Sequence, residues 1–127
     1  MTAPARVLIV EDDADGREPL AEALRAEGYD IAIASDGGAA IAQLDGCDVL
    51  VVDLGLPDID GLDIIRSARA LPVPPAVVVF TGHHRLMADA EAAGCAAFVL
   101  KPDLDALLAW LGSLTTSVAA RKTSGDG

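Results

Sequence analysis

Four short apolar segments of the chain each end in polar residues that could do chemistry. Glu11 and Asp12 follow RVLIV, Asp53 follows VLVV, Thr81 follows AVVVF, and Lys101 follows AAFVL. If these segments are parallel strands of one sheet, their carboxyl ends meet at one edge, which is where open α/β sheets bind ligands. The sequence therefore predicts that carboxylates, a hydroxyl and an ammonium group converge on one crevice.

The predicted charge of this crevice indicates a cation. Glu11, Asp12 and Asp53 carry three negative charges against the single positive charge of Lys101. The excess must be met by protonation or by a divalent cation. Hard oxygen ligands in a small site suit Mg²⁺. The alternative is that these acids are ordinary solvated loop residues, but four strand ends with complementary chemistry favour the site.

The same residues indicate phosphoryl transfer. A carboxylate can act as a nucleophile and form an acyl phosphate when a cation screens its charge. Asp53 is the best placed because it ends the central predicted strand. Thr81 as a hydroxyl donor and Lys101 as a cationic clamp would neutralise the oxygens of the transferred group.

The elements that must position these residues follow from the apolar pattern. Strands 6–10, 49–52 and 76–80 are continuous runs of apolar residues, typical of strands covered on both faces by helices. Helical spacing predicts helices between the strands, and short connections predict an open, doubly wound parallel sheet with right-handed crossovers. The five predicted strands are 6–10, 30–34, 49–52, 76–80 and 96–100, and the five predicted helices are 17–27, 37–44, 62–70, 85–93 and 103–111.

Length and composition set the class of protein. The 127 residues suit one folded domain, and 52% hydrophobic residues exclude a disordered chain. The small, polar composition after Gly112 predicts a domain over residues 1–112 and a tail or linker stump over residues 113–127. Cys47 and Cys95 lack metal-ligand spacing and are expected to be small buried hydrophobes rather than a disulfide.

Net charge and hydropathy restrict the partners. A net charge of −11 disfavours direct nucleic-acid binding. This charge is concentrated in residues 1–63, which carry 15 acidic and 3 basic side chains. The apolar runs are too short to span a membrane, and the N-terminus lacks a signal core, so we expect no membrane contact and a cytoplasmic location.

Four segments resemble, in order and spacing, the receiver domain of bacterial two-component response regulators, across residues 6 to about 112. The resemblance implies a flavodoxin-like fold with strand order 2-1-3-4-5. The matching segments are VLIVEDD (7–13), VVDLGLPDIDGLDII (51–65), VVFTG (78–82) and FVLKP (98–102).

The resemblance implies a role for each site residue. Asp53 would be the phosphoacceptor, and Asp12 a direct Mg²⁺ ligand. Glu11 would act on the ion through water, and the backbone carbonyl of Gly55 would be a further ligand. The switch and phosphate-binding residues implied are Thr81 as the switch hydroxyl, Phe98 as the switch aromatic, and Lys101 as the phosphate clamp, which precedes Pro102 and is usually joined to it through a cis bond.

The chain departs from the family pattern at three positions. Asp103 stands where an aromatic residue is common, so the last helix should begin with different packing. Gly55 has no side chain to shield an aspartyl phosphate, and His83 flanks the same site. The phosphate lifetime is therefore open. His83 and His84 could relay a proton or a phosphoryl group, or could simply be solvated.

The resemblance implies a phosphorylation switch rather than a dedicated enzyme, with only self-phosphorylation and self-dephosphorylation chemistry. A sensor histidine kinase or histidine phosphotransfer protein would phosphorylate Asp53, and the face formed by helix 4, strand 5 and helix 5 would repack. With no effector domain expected after residue 112, a downstream protein target would read this face. Trp110 could contact that target or could cover the core.

Two alternatives come from other classes of protein. A Mg²⁺-dependent phosphohydrolase with an aspartate nucleophile commonly needs a second carboxylate two residues after the nucleophile, where this chain has Gly55. A phosphorylation-independent interaction module usually loses its site residues, and here they are present.

Overall fold

The structure is a computed structural model that describes residues 4–125 of the chain, with side chains described for residues 4–116. Strands and helices alternate throughout, and a short 3₁₀ turn at His84–Leu86 precedes the fourth helix. The elements are β1 (Arg6–Val10), α1 (Ala14–Ala26), β2 (Asp30–Ala34), α2 (Gly37–Gln43), β3 (Val49–Val52), α3 (Gly61–Arg69), β4 (Ala76–Thr81), α4 (Met87–Ala93), β5 (Ala97–Leu100) and α5 (Leu104–Gly125). No helix in this described part is long and apolar enough to cross a bilayer.

The five strands form one parallel sheet in the order β2-β1-β3-β4-β5. This confirms the predicted doubly wound sheet with strand order 2-1-3-4-5. The strand side chains alternate between two apolar clusters. One cluster includes residues of α2, α3 and α4, and the other includes residues of α1 and α5. Because β1, β3 and β4 are covered on both faces, they read as continuous apolar runs.

Aspartate side chains begin the first three helices. Asp13 accepts a hydrogen bond from the backbone N–H of Asp15, and Asp36 and Asp60 cap α2 and α3 in the same way. The predicted start of α1 at Arg17 is wrong by three residues because Asp13 is the cap. Pro19 therefore lies in the second turn rather than the first, and its ring is exposed.

The last helix is longer than predicted. We expected it to end at Leu111, but α5 continues to Gly125. Leu114 packs against the α1 and α5 cluster, and the hydroxyl of Thr115 donates to the backbone oxygen of Leu111 at 2.7 Å. These contacts continue the helix past Gly112. The assignment of residues 113–127 to a tail or linker stump stays a prediction.

Both cysteines are free and half-buried, and both pack against the α2, α3 and α4 cluster. Burial raises the pKa of the Cys47 thiol to about 11. The prediction that they form no disulfide and pack as small apolar side chains is confirmed, but they are half-buried rather than buried. Strand β4 separates the two strands that they precede.

Two glycines in helices give opposite predictions for stability. A Cβ on Gly61 would lie 2.7 Å from the Cα of Leu54, whereas a Cβ on Gly112 would meet nothing within 4 Å. We expect Gly61→Ala to lower the free energy of unfolding by about 1–3 kcal/mol because the backbone must move. Gly112→Ala should raise it by up to about 1 kcal/mol through helix propensity. Urea unfolding checks both, and equal effects would contradict the close approach of Gly61 to the backbone of Leu54.

Candidate functional site

The structure brings together, at the carboxyl ends of β3, β4 and β5, three of the residues singled out from the sequence. The hydroxyl of Thr81 donates to Oδ1 of Asp53 at 2.8 Å. The ammonium group of Lys101 donates to Oδ2 of the same carboxylate at 2.9 Å. Each oxygen of Asp53 therefore has a donor that can stabilise negative charge there.

Lys101 also links this carboxylate to β1. Its ammonium group makes a close ion pair with Oε2 of Glu11, a residue whose side chain is 5% exposed. The other oxygen of Glu11 accepts the backbone N–H of Asp13 at 3.2 Å. Lys101 is joined to Pro102 by a cis peptide bond, the geometry that the resemblance implied.

The carboxylates form a cluster that fits a hard divalent cation. Ligand oxygens of Glu11, Asp12 and Asp53 all lie within 4.8 Å of one another. Glu11 is buried, Asp53 is half-buried, and Asp12 is exposed at the rim. Three carboxylates against one ammonium group leave negative charge, and small oxygen-lined sites of this kind suit Mg²⁺.

Burial and hydrogen bonding shift the pKa values of these ionisable side chains in opposite directions. Burial alone would raise the pKa of Asp53, but the hydrogen bonds from Lys101, Thr81 and the N–H of Gly55 lower it below the usual value. For Glu11, burial outweighs the bond from Lys101, so its pKa is raised. Burial would lower the pKa of Lys101, but its bonds to both carboxylates raise it. Of Asp53 and Glu11, Asp53 is therefore the carboxylate that stays ionised more readily.

Thr81 and Phe98 lie on neighbouring strands. Thr81 is fully buried, and its oxygen also accepts the backbone N–H of His83 at 3.3 Å. Phe98 pairs in register with Val79, and its ring is half-buried against the α2, α3 and α4 cluster. The switch roles of these two residues stay predictions.

Gly55 and His83 lie next to each other beside Asp53. The N–H of Gly55 donates to Oδ1 of Asp53 at 3.2 Å. A Cβ on Gly55 would lie 3.1 Å from Nε2 of His83, so the imidazole occupies the space above the glycine. His83 and His84 are both exposed.

Asp58, a residue that no sequence motif singled out, ties the loop after β3 to the start of α2. Its carboxylate accepts the backbone N–H of Gly37 at 2.8 Å and that of Gly38 at 3.1 Å. Ile59 packs against Gly37, where a Cβ would lie 2.6 Å from the Cβ of Ile59. The sequence signal for this contact was the pair of glycines directly after the capping residue Asp36. Their partner Asp58, however, lies 20 residues beyond Gly38.

This tie predicts a pH-dependent loss of stability. The backbone hydrogen bond from Gly37 is the main cause that lowers the pKa of Asp58 below its usual 3.8. A lowered pKa stabilises the fold above the unfolded value, and this contribution is lost as pH falls through the folded value. We expect Asp58→Asn to unfold at lower urea than the wild type at pH 6, with the gap closing near pH 3. Asp45→Asn, in an exposed turn, is the control, and a gap that persists at pH 3 would contradict the assignment.

Comparison with known proteins places this geometry in a family. Residues 7–111 match the family described as response regulator receiver domain. The transcriptional regulatory protein TrcR of Mycobacterium tuberculosis is 41% identical over 87 residues, which cover 67% of this chain and 34% of TrcR. The transcriptional regulatory protein PdtaR of the same species is 40% identical over 103 residues, covering 78% of this chain and 50% of PdtaR. The chain thus spans a third to a half of the length of these relatives.

Solved structures agree. The receiver domain of a LuxO repressor protein from Vibrio parahaemolyticus superposes with a TM-score of 0.85 at 26% identity, covering 98% of both chains. The response regulator TrrA of Thermotoga maritima, solved with Mg²⁺-BeF, superposes with a TM-score of 0.80 at 26% identity, covering 87% of this chain and 98% of that one. Since the family match covers most of the sequence and the fold is the same, the chain belongs to the response regulator receiver domain family.

Proposed function

We propose that the chain accepts a phosphoryl group on Asp53 from a histidine kinase or histidine phosphotransfer protein. The observation that supports this is the set of donors on Asp53, with Thr81 on one oxygen and Lys101 on the other. Transfer of a phosphoryl group changes the charge at Asp53 from one negative charge on the carboxylate to about two on the acyl phosphate, and it supplies three acceptor oxygens. Thr81 and Lys101 can then donate to those oxygens.

We propose that Mg²⁺ is held by Asp12 and Asp53 directly, by the backbone carbonyl of Gly55, and by Glu11 through water. The oxygen cluster of the three acids supports this assignment. The ion would screen the negative charges of the acceptor and the incoming phosphoryl group. The ion pair between Glu11 and Lys101 holds the acidic cluster in place, and the hydrogen bond from Thr81 orients one oxygen of Asp53.

We propose that phosphorylation switches protein contacts through the face formed by α4, β5 and α5. A phosphoryl group shifts a conformational equilibrium only if it contacts the two states differently, and Thr81 and Lys101 would supply that difference. If Thr81 moves toward the phosphate, Phe98 can turn into the space that it leaves. Of the five large exposed apolar side chains among residues 4–116, three belong to these elements, namely Met87 at 43%, Leu100 at 43% and Trp110 at 44%. An exposed Trp110 favours a partner contact over a core role.

The test is phosphorylation of the purified chain by acetyl phosphate in the presence of Mg²⁺. We expect intact mass to show a single phosphoryl adduct, which is absent when EDTA removes the ion. Asp12→Asn should raise the Mg²⁺ concentration needed for half-maximal adduct by about tenfold or more, because a carboxylate ligand is lost. Asp105→Asn, which removes an exposed acid of α5, should leave this concentration unchanged. A wild-type chain that forms no adduct under any Mg²⁺ concentration would exclude the phosphoacceptor role.

A further inference from the structure

An open cavity of about 350 Å³ lies between α1 and the start of α5. Glu11 and Lys101 form one wall of it, but Asp12, Asp53 and Thr81 do not line it. The cavity therefore shares Glu11 and Lys101 with the phosphoacceptor site but does not include the acceptor Asp53. Its volume is at the lower end of the range of about 300–1,000 Å³ that is usual for small-molecule sites.

The cavity is open because the residues around its mouth do not fill it. Gly16, on α1, has no side chain, and a Cβ there would make only ordinary contacts, the shortest at 3.9 Å. Asp103 precedes α5, but its carboxylate accepts the backbone N–H of Ala106 at 3.0 Å. Asp103 is thus used as a helix cap and does not line the cavity.

Apolar side chains form the inner wall. Phe80 is 8% exposed and Leu20 is 7% exposed, and half-buried Leu104 faces them from α5. The ammonium group of Lys101 lies 6.0 Å from the centre of the Phe80 ring. A flat apolar group of the size of one aromatic ring could bury its surface against these three side chains.

The rim of the cavity is charged, whereas its inner wall is apolar. Exposed Asp13 and Asp15 line the rim, buried Glu11 lies in the wall, and Lys101 is the one basic residue in the lining. The ammonium group of Lys101 is already bonded to Glu11 and Asp53. The remaining negative charge attracts a cation and disfavours an anion.

We propose that this cavity binds a small aromatic cation, a single ring that bears an ammonium or amidinium group. The ring contacts Phe80, Leu20 and Leu104, and the cationic group faces Asp13 and Asp15 at the rim. This site is separate from the proposed phosphorylation of Asp53, and it does not require that reaction.

The test uses benzamidine as the probe, added to the ¹⁵N-labelled full chain with saturating Mg²⁺ present. We expect saturable shifts of the backbone signals of Gly16 and Leu104. Benzyl alcohol, which lacks the charge, and benzoate, which reverses it, should each bind at least about fivefold more weakly. The wild type is the protein in all three titrations.

Two variants localise the binding. Asp15→Asn removes one rim charge and should weaken benzamidine binding by about two- to fivefold, while Asp89→Asn, the acid in the first turn of α4, should have no effect. Leu104→Trp should fill the cavity and abolish the shifts. The proposal is overturned if benzoate binds as tightly as benzamidine, or if Asp15→Asn leaves the affinity unchanged. It is also overturned if Asp12→Asn abolishes binding, because the probe would then occupy the carboxylate cluster.

Discussion

Asp53→Asn is expected to lower the yield of the phosphoryl adduct formed with acetyl phosphate and Mg²⁺ by more than about 100-fold relative to the wild-type chain. The amide keeps an oxygen that can accept the bond from Thr81, so the fold should be retained. It lacks the charged oxygen that attacks phosphorus and so cannot form the acyl phosphate. Intact mass after a fixed incubation measures the loss.

A matched variant separates this chemistry from a general effect of charge. Asp63→Asn removes one carboxylate from α3, where Asp63 is exposed and pairs with Arg66 at 2.8 Å. We expect its adduct yield to equal that of the wild type. An adduct that persisted in Asp53→Asn would place the phosphoryl group on another residue. His83→Ala and His84→Ala would then identify whether one of the neighbouring histidines accepts it.

Lys101→Met is expected to cause a large loss of stability. Lys101 is 31% exposed and pairs with two carboxylates, of which Glu11 is 5% exposed and Asp53 is 13% exposed. Removing the ammonium group leaves both acids without their cation, which should lower the free energy of unfolding by about 2 kcal/mol at pH 7 without Mg²⁺. This value is below that of a fully buried pair because solvent reaches the ammonium group.

The pH dependence of this loss has a definite sign. The raised pKa of Lys101 means that its contribution is complete below the unfolded value of 10.5 and is lost as pH rises through the folded value. Without Lys101, the pKa of Glu11, already raised by burial, should rise further. Protonation then relieves the repulsion, so the gap between wild type and variant should narrow from pH 7 to pH 5.

Urea unfolding at both pH values, with and without Mg²⁺, measures this effect. Mg²⁺ should restore part of the lost stability because it neutralises the same acids. Arg66→Met removes a cation from an exposed pair and should change the free energy of unfolding by no more than about 0.5 kcal/mol. A Lys101→Met variant that resembled Arg66→Met in all four conditions would show that the central ion pairs contribute nothing to stability.

Much of the fold could be predicted because the sequence patterns that specify its strands and helices are local. β1, β2 and β3 have the predicted bounds, since runs of apolar residues flanked by polar ones specify short buried strands. The resemblance to receiver domains implied the strand order, and the sheet has that order. The cap of α2 is local as well, because the side chain of Asp36 accepts from a backbone N–H three residues away.

Apart from the start of α1, which the local cap at Asp13 decides, the errors fall where a distant contact decides the outcome. α5 passes Gly112 because Leu114 reaches the core and because the Tyr29 hydroxyl lies 3.5 Å from that of Thr115. Neither contact is visible from the polar composition of that segment. The part played by Asp58 was missed for the same reason, since its partners belong to α2.

The sequence by itself determined the types of side chain at the strand ends, and with them the chemistry that the crevice can support. Thr81 and Lys101 lie 28 and 48 residues from Asp53, their common partner, yet parallel pairing brings the three strand ends to one edge. Only the tertiary structure decided how they share their bonds. Lys101 bridges Glu11 and Asp53, and Thr81 takes the other oxygen of Asp53. The physical reason is that residue type sets charge and donor count, whereas strand register and helix packing set which charges meet and which spaces stay open.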